Sequence, residues 1–238
     1  MKICVLIILF TSSLLSYSQD STLTNKKKLY LGLTVSPDFS YRNTSNNYYF
    51  TEETAKLGYT IGISSRLNIT KKISIESGLL LSNKGYKNNF SGLTFGDMID
   101  PRRGFIYNTQ NTPRKVEYIY SYYYLDIPIK AAFTFGQRKI HFFAAAGITP
   151  NILIKTTEKS IITYQNGDTD NDSHDALFNY NRFNLSPTVS VGLSKITAKS
   201  ILKIEPYFSY GILKIIDALT TAYLWNCGIN LSYCIAIK

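Results

Sequence analysis

The chain has 238 residues, of which 45% are hydrophobic and 14% aromatic, and its formal net charge is +10. This length allows one large β domain or two small ones. A basic chain could bind nucleic acid, but its lysines and arginines are dispersed and its N-terminal segment predicts export, so we expect no nucleic-acid partner.

Residues 1–18 are predicted to be a secretory signal peptide. Lys2 supplies the positive charge, residues 3–15 form a short apolar core, and Ser16 and Ser18 are the small residues before the cleavage site. The core is shorter than the roughly 20 apolar residues of a membrane-spanning helix. We therefore expect an exported chain that starts at Gln19 and forms one domain over residues 19–238.

Alternation of apolar residues with small or polar ones predicts eight β-strands. It is clearest from Tyr223 to Ile237, where eight apolar residues occupy alternate positions. A strand places such residues on one face, whereas a helix would scatter them. In chain order, the predicted strands are residues 29–40, 56–70, 73–87, 118–135, 139–155, 182–195, 200–211 and 222–238.

The second face of these strands favours a membrane barrel over a soluble sandwich. It is built mostly from Gly, Ser, Thr, Ala and Asn, with a few charges of both signs, which suits a narrow polar lumen. The predicted lumen charges are Arg66, Glu76, Asp126, Lys130, Lys203 and Glu205. Because eight strands enclose little space, we favour a charge network that fills the lumen over a conducting pore.

The connections between the predicted strands alternate in length. Residues 41–55, 88–117, 156–181 and 212–221 form long links, and residues 70–72, 136–138 and 196–199 form short ones. Outer-membrane barrels have short periplasmic turns and long outer loops. The predicted fold is therefore all-β: an eight-stranded, antiparallel, up-and-down transmembrane β-barrel in the cell outer membrane, with long extracellular loops.

Five prolines lie in or near the predicted strands: Pro37, Pro128, Pro150, Pro187 and Pro206. Proline cannot donate a ladder hydrogen bond, and a closed barrel has no free edge to accommodate it. We expect a bulge or a strand end at each of these positions.

Residues 124–130, Tyr-Leu-Asp-Ile-Pro-Ile-Lys, resemble a strand of the PorT-type outer-membrane β-barrel family of Bacteroidota. Residues 142–152 and 204–211 resemble the next strand and the penultimate strand of that family. The resemblance extends over essentially all of the mature chain. It implies a barrel fold and an outer-membrane location. It does not imply a reaction, because most members of the family are uncharacterised and a few serve protein secretion or adhesion.

Candidate catalytic chemistry is sparse. His141 and His174 are the two histidines, and we expect them at opposite ends of the barrel. Ser173 and Asp175 flank His174, but sequence neighbours rarely form the geometry of a nucleophile, a base and an orienting carboxylate. We therefore predict no enzymatic activity, no catalytic residue and no cofactor.

Asp168, Asp170 and Asp172 have the spacing of the start of a calcium loop. The Gly and Glu that such a loop needs at its sixth and twelfth positions are replaced by Ser173 and Asn179. We predict a solvated loop tip and no metal site, with weak Ca²⁺ binding left open.

Cys227 and Cys234 are predicted to share one strand. At that spacing they lie too far apart for a disulfide and point to opposite faces. We expect two free thiols that are buried or face lipid.

A basic cluster in the longest outer loop comprises Arg102, Arg103, Arg114 and Lys115. Guanidinium groups suit phosphate oxygens, so we expect contact with lipopolysaccharide, the alternative being an ordinary solvated loop. The predicted function is a structural anchor or interaction module at the cell surface, with periplasmic or surface proteins as partners. The alternative is a small pore or an accessory component of a protein secretion system.

Overall fold

The computed structural model describes residues 28–44, 52–91, 98–100, 104–106, 113–136, 140–175, 180–197, 199–216 and 221–237. The predicted signal peptide, residues 1–18, lies outside this range. No helix in the described part of the chain is long and apolar enough to cross a membrane.

Twelve strands are present in the described residues. They are β1 (Leu29–Thr44), β2 (Glu52–Asn68), β3 (Ile73–Ser91), β4 (Met98–Asp100), β5 (Gly104–Ile106), β6 (Pro113–Asp126), β7 (Ile129–Phe135), β8 (Ile140–Tyr164), β9 (Thr169–Asp175), β10 (Phe183–Ile196), β11 (Ser200–Tyr210) and β12 (Ala222–Ile237). Ten of them form one antiparallel sheet, and β4 and β5 form a separate short hairpin.

The large sheet closes into a ring of eight wall strands. β6 and β7 together make one wall strand, since both lie between β3 and β8 and are separated only by residues 127 and 128. The remaining walls are β1, β2, β3, β8, β10, β11 and β12. β8 pairs with β10, and β1 pairs with β12 from Leu29–Ile237 to Thr44–Ala222. The predicted eight-stranded antiparallel barrel is confirmed.

The two faces of the wall have the composition that the alternation predicted. Large apolar side chains remain exposed on the outside: Leu33 is 65% exposed and Ile63 is 58% exposed. The residues between them point inward and are buried, as Thr34 and Ser36 are on β1. Such a wide exposed apolar surface requires a nonaqueous neighbour, which the membrane supplies.

Aromatic side chains mark the outer edge of this apolar band. The rings of Tyr41 and Trp225 lie 5.7 Å apart, and those of Phe208 and Trp225 lie 5.9 Å apart. Aromatic girdles of this kind occupy the membrane interface in outer-membrane barrels, because one end of the ring system is apolar and the other tolerates water.

Five strands extend further outward than predicted, among them β1, which continues to Thr44, and β2, which begins at Glu52. β3 continues to Ser91, β6 begins at Pro113, and β8 continues to Tyr164. Residues 156–164 of the predicted loop therefore belong to β8, which pairs there with β9. The alternation missed these segments because neither of their faces meets lipid, so the apolar–polar period is lost.

The expectation for the prolines is correct at Pro128, which lies between β6 and β7, and wrong at the other four. Pro37, Pro150, Pro187 and Pro206 lie inside continuous strands and occupy the outward positions of the alternation. Each keeps its pairing with one neighbouring strand. One missing N–H therefore interrupts the ladder on one side without shifting its register, as the β1–β12 pairing shows on either side of Pro37.

Several glycines on the inner face bring neighbouring strands unusually close together. A Cβ on Gly147 would lie 2.0 Å from the carbonyl oxygen of Ile129, and one on Gly32 would lie 1.9 Å from that of Tyr233. Glycine in a strand marks a bend or a close backbone approach. These positions let the wall curve tightly enough to close with eight strands.

Candidate functional site

The periplasmic half of the lumen contains five buried charged side chains, which we call the lumen ion cluster: Arg66, Glu76, Lys130, Lys203 and Glu205. Lys203 Nζ donates to both carboxylate oxygens of Glu76 at 2.7 Å and lies 3.2 Å from Glu205 Oε2. Lys130 donates to Glu205 and lies 3.6 Å from Glu76 Oε2. Arg66 Nη1 lies 3.5 Å from Glu76 Oε1. Four different wall strands thus meet across the lumen.

The sixth predicted lumen charge, Asp126, belongs to a separate pair nearer the outside. Its carboxylate accepts hydrogen bonds from Lys84 Nζ at 2.7 Å and from Asn151 Nδ2 at 2.6 Å. All six predicted lumen charges are therefore buried and paired. The prediction of a filling charge network is confirmed for the described residues.

The sequence interpretation missed three further buried charges in the lumen. Lys84 pairs with Asp126, Lys56 donates to Asn83 Oδ1 at 2.5 Å, and Asp38 accepts from Thr60 Oγ1 at 2.9 Å. All three occupy inward positions of their strands. The alternation of β1 and β3 is weaker, which is why Asp38 and Lys84 were not selected, although their even spacing from the buried Ser36 and Ser82 could have identified them. Lys56 begins the predicted second strand, where the apolar alternation had not yet started.

An aromatic layer closes the outer end of the lumen. It consists of the buried residues Tyr86, Tyr122, Tyr124, Ile215, Ala222 and Leu224. Tyr86 stacks on Tyr120 at 4.7 Å, and the Arg42 guanidinium lies 4.0 Å above the Tyr86 ring. Ile215 lies in a predicted outer loop, yet it is 1% exposed because its backbone bonds to Asn181 and Ala222 and holds it inward.

A small cavity of about 80 Å³ remains inside the lumen. Four cations and three carboxylates line it: Arg66, Lys84, Lys130, Lys203, Glu76, Asp126 and Glu205. The hydroxyls of Thr34, Ser64 and Ser232 also lie on its wall. This volume holds a few waters or one small ion. It is far too small for a substrate of ordinary size.

Outside the membrane, β3, β6, β8 and β9 continue as a protruding sheet, which we call the outer sheet. Lys87 and Lys115 lie 3.2 Å and 3.3 Å from Glu117 within it. Burial acts to raise the pKa of the Glu117 carboxyl, but these two ammonium groups outweigh it and hold its pKa below the usual value. Among the described strands β9 pairs only with β8, so its other edge is open.

The two histidines lie far apart, as predicted. His141 is near the start of β8, whereas His174 on β9 lies opposite Glu158 in the strand register, near the other end of β8. At about 3.3 Å per residue, Glu158 is roughly 55 Å from His141 along β8. On β9, Ser173 and Asp175 alternate with His174 and point to the other face. The neighbouring residues therefore do not assemble a nucleophile, base and carboxylate.

The three aspartates occupy a hairpin rather than an open loop. Asp168 lies in the turn, and Asp170 and Asp172 lie on β9, where Asp170 accepts from Tyr164 OH at 2.9 Å. All three are exposed. Within the ranges the structure describes, no group of three or more His, Cys, Asp or Glu residues is arranged to hold a metal.

The remaining candidates have the following positions. Cys227 and Cys234 are free thiols on opposite faces of β12, as predicted. Arg114 and Lys115 are exposed on the outer part of β6. Arg102 and Arg103 lie outside the described residues.

The comparisons with known proteins agree with this architecture. The family model described as outer membrane protein beta-barrel domain matches residues 17–217. No curated protein matches the chain.

Three solved structures are similar over most of their length. Neisserial surface protein A is 11% identical, with 87% of this chain and 96% of that chain covered and a TM-score of 0.45. Ail, the attachment invasion locus protein of Yersinia pestis, is 9% identical, with 85% of this chain and 97% of that chain covered and a TM-score of 0.35. The outer membrane protease OmpT from Escherichia coli is 8% identical, with 92% of this chain and 99% of that chain covered and a TM-score of 0.37. On the family match, the chain belongs to the outer membrane protein β-barrel domain family, and its location is the outer membrane.

Proposed function

We propose that this barrel is a non-enzymatic anchor that presents an interaction surface outside the cell. The observation that carries the proposal is the contrast between the lumen and the outer sheet. Buried ion pairs and an aromatic layer fill the lumen, whereas β3, β6 and β8 continue beyond the lipid-facing band. Within the described residues, the outer sheet is therefore the feature that other molecules can reach.

A filled lumen leads to an electrical prediction. The protein reconstituted into a planar lipid bilayer is expected to show no steady single-channel current. The lumen ion cluster and the aromatic layer both block the path of ions through the lumen. The measurement is conductance in symmetric salt after heat-modifiable gel mobility has shown that the barrel is folded. Steady, concentration-dependent channel openings would instead support the alternative of a small pore.

The second alternative is an accessory role in protein secretion. The PorT-type resemblance of residues 124–130 favours it, because some members of that Bacteroidota family serve secretion. Reproducible co-purification with periplasmic components of an export machine would support this role over the surface module.

The open edge of β9 defines the class of protein partner that suits the outer sheet. Exposed strand edges accept an added strand through backbone hydrogen bonds. β9 carries Asp170, Asp172 and Asp175, and its residues are exposed throughout. We therefore propose an extended basic segment of another protein as the partner, with its lysines or arginines facing Asp170 and Asp172, which share one face of β9.

A synthetic peptide of alternating lysine and valine is expected to bind the detergent-folded barrel, measured by fluorescence anisotropy. Substitution of Asp170 and Asp172 by asparagine should weaken binding. The same peptide with N-methylated backbone amides should not bind, because it cannot form the ladder. Equal binding of the methylated peptide would show that simple charge attraction is responsible.

We also propose contact between the basic cluster and lipopolysaccharide phosphates. The exposed position of Arg114 and Lys115 above the lipid-facing band supports it. Replacement of Arg102, Arg103, Arg114 and Lys115 by alanine is expected to reduce the lipopolysaccharide retained after detergent extraction. Unchanged retention would contradict the proposal.

A further inference from the structure

The buried charges of the lumen do not balance. Nine charged side chains in the described residues are buried: Asp38, Lys56, Arg66, Glu76, Lys84, Asp126, Lys130, Lys203 and Glu205. Five are cations and four are carboxylates, which leaves one positive charge. The excess lies in the lumen ion cluster, where Arg66, Lys130 and Lys203 face only Glu76 and Glu205.

One hydrogen-bond donor of this cluster has no acceptor. Arg66 donates from Nε to Asn68 at 3.0 Å and from Nη2 to Thr134 at 3.1 Å. Its Nη1 atom is buried and makes no hydrogen bond, and the nearest oxygen of Glu76 is 3.5 Å away. Arg66 itself is 4% exposed. A buried donor of a charged group that lacks a hydrogen-bond acceptor lowers the stability of the folded state.

The same arginine lines the lumen cavity of about 80 Å³. Thr34, Ser64 and Ser232 also line this cavity, where Thr34 Oγ1 donates to Ser64 Oγ at 2.9 Å and lies 2.8 Å from Ser232 Oγ. Hydroxyl hydrogens rotate, so this chain can present an additional donor to a bound group. The cavity thus combines excess positive charge with adjustable hydroxyls.

We propose that the lumen cavity binds one small monovalent anion of the chloride class, held by the excess positive charge of Arg66, Lys130 and Lys203, which line it. Such an ion neutralises the one excess positive charge of the lumen ion cluster. The volume admits a halide together with a few waters, and a single excess charge is balanced by a monovalent anion. The site is structural, so its occupancy adds to the stability of the folded barrel.

The test compares the thermal unfolding midpoint of the detergent-folded protein in sodium chloride and in sodium gluconate at equal ionic strength. A ligand that binds only the folded state raises the midpoint as its concentration increases. We expect a higher midpoint in chloride, and a shift that grows with the chloride fraction. Equal midpoints in the two salts would mean that only water occupies the cavity and would overturn the proposal.

Charge variants give expected results in opposite directions. Arg66→Gln leaves two cations facing two carboxylates, so the chloride-dependent shift should disappear. Glu76→Gln leaves three cations facing one carboxylate, so the shift should increase. Arg42→Gln, at the outer mouth and outside the cluster, is the matched control and should keep the wild-type shift. A shift that persists in Arg66→Gln would place the chloride effect elsewhere and reject this site.

A direct measurement covers the case in which Glu76→Gln does not fold. Chlorine NMR linewidths should broaden with the wild-type barrel and with Arg42→Gln, but not with Arg66→Gln. Bromide should compete for the same broadening. Identical linewidths for wild type and Arg66→Gln would also overturn the proposal.

Discussion

Gly147→Val is expected to prevent closure of the barrel. A Cβ at this position would lie 2.0 Å from the Ile129 carbonyl oxygen and 2.6 Å from Lys130 Cα, both backbone atoms of β7. Relief requires β7 and β8 to separate, which breaks the ladder that joins them. Overpacking against movable side chains costs about 1–3 kcal/mol, and the cost here should exceed that because backbone must move.

The neighbouring residue gives a matched control. Ala146 is exposed on the outer face of β8, so in Ala146→Val the added methyl groups project into lipid. Both variants should be refolded into detergent, and the folded fraction measured as the fast-migrating band on unheated gels. We expect a wild-type fraction for Ala146→Val and little folded protein for Gly147→Val. Equal folding of the two would show that the close strand approach is dispensable.

Glu76→Gln is expected to cost about 3–5 kcal/mol of unfolding free energy. Glu76 accepts both bonds from Lys203 and also faces Arg66 and Lys130. Its replacement leaves three buried cations with Glu205 alone. Breaking one partner of a buried pair is costly mainly because the remaining charge is desolvated and unpaired.

Glu117→Gln is the control for this change. Glu117 also faces two lysines, but on the outer sheet, where solvent screens the interaction, so its loss should cost less than about 1 kcal/mol. Urea unfolding of each variant in the same detergent gives the comparison. Similar losses for the two variants would mean that the lumen ion cluster contributes no more than a surface pair.

The alternation of apolar and polar residues in the sequence predicts which side chains of the wall face the lumen and which face lipid. Lys203 and Glu205 lie two residues apart among apolar neighbours, so a strand must turn both toward the lumen if those neighbours face lipid. Their partner could not be predicted in the same way. Glu76 meets Lys203 across the lumen although 127 positions separate them, and the curvature of the closed ring determines such contacts.

The outer parts of the strands and the tolerance of prolines could not be predicted from the sequence pattern, for physical reasons. The outer parts of β6 and β8 contact water on both faces, so no apolar period distinguishes them from a loop. The prolines suggested interruptions because a missing donor is costly in a closed sheet. Their outward positions and retained pairing on one side show that a single lost bond is tolerated when the register is held by the rest of the strand.

The pairing of β1 with β12 also has a consequence for biogenesis. Leu29 and Ile237 are 208 positions apart, so this seam joins the earliest and the latest wall strands of the described chain. Until β12 arrives, β1 and β11 each present an unpaired row of backbone groups, which hydrocarbon cannot satisfy. Insertion into the bilayer must therefore be coupled to completion of the ring, and a chain that stops before β12 would leave two such edges for an assembly factor or a protease to recognise.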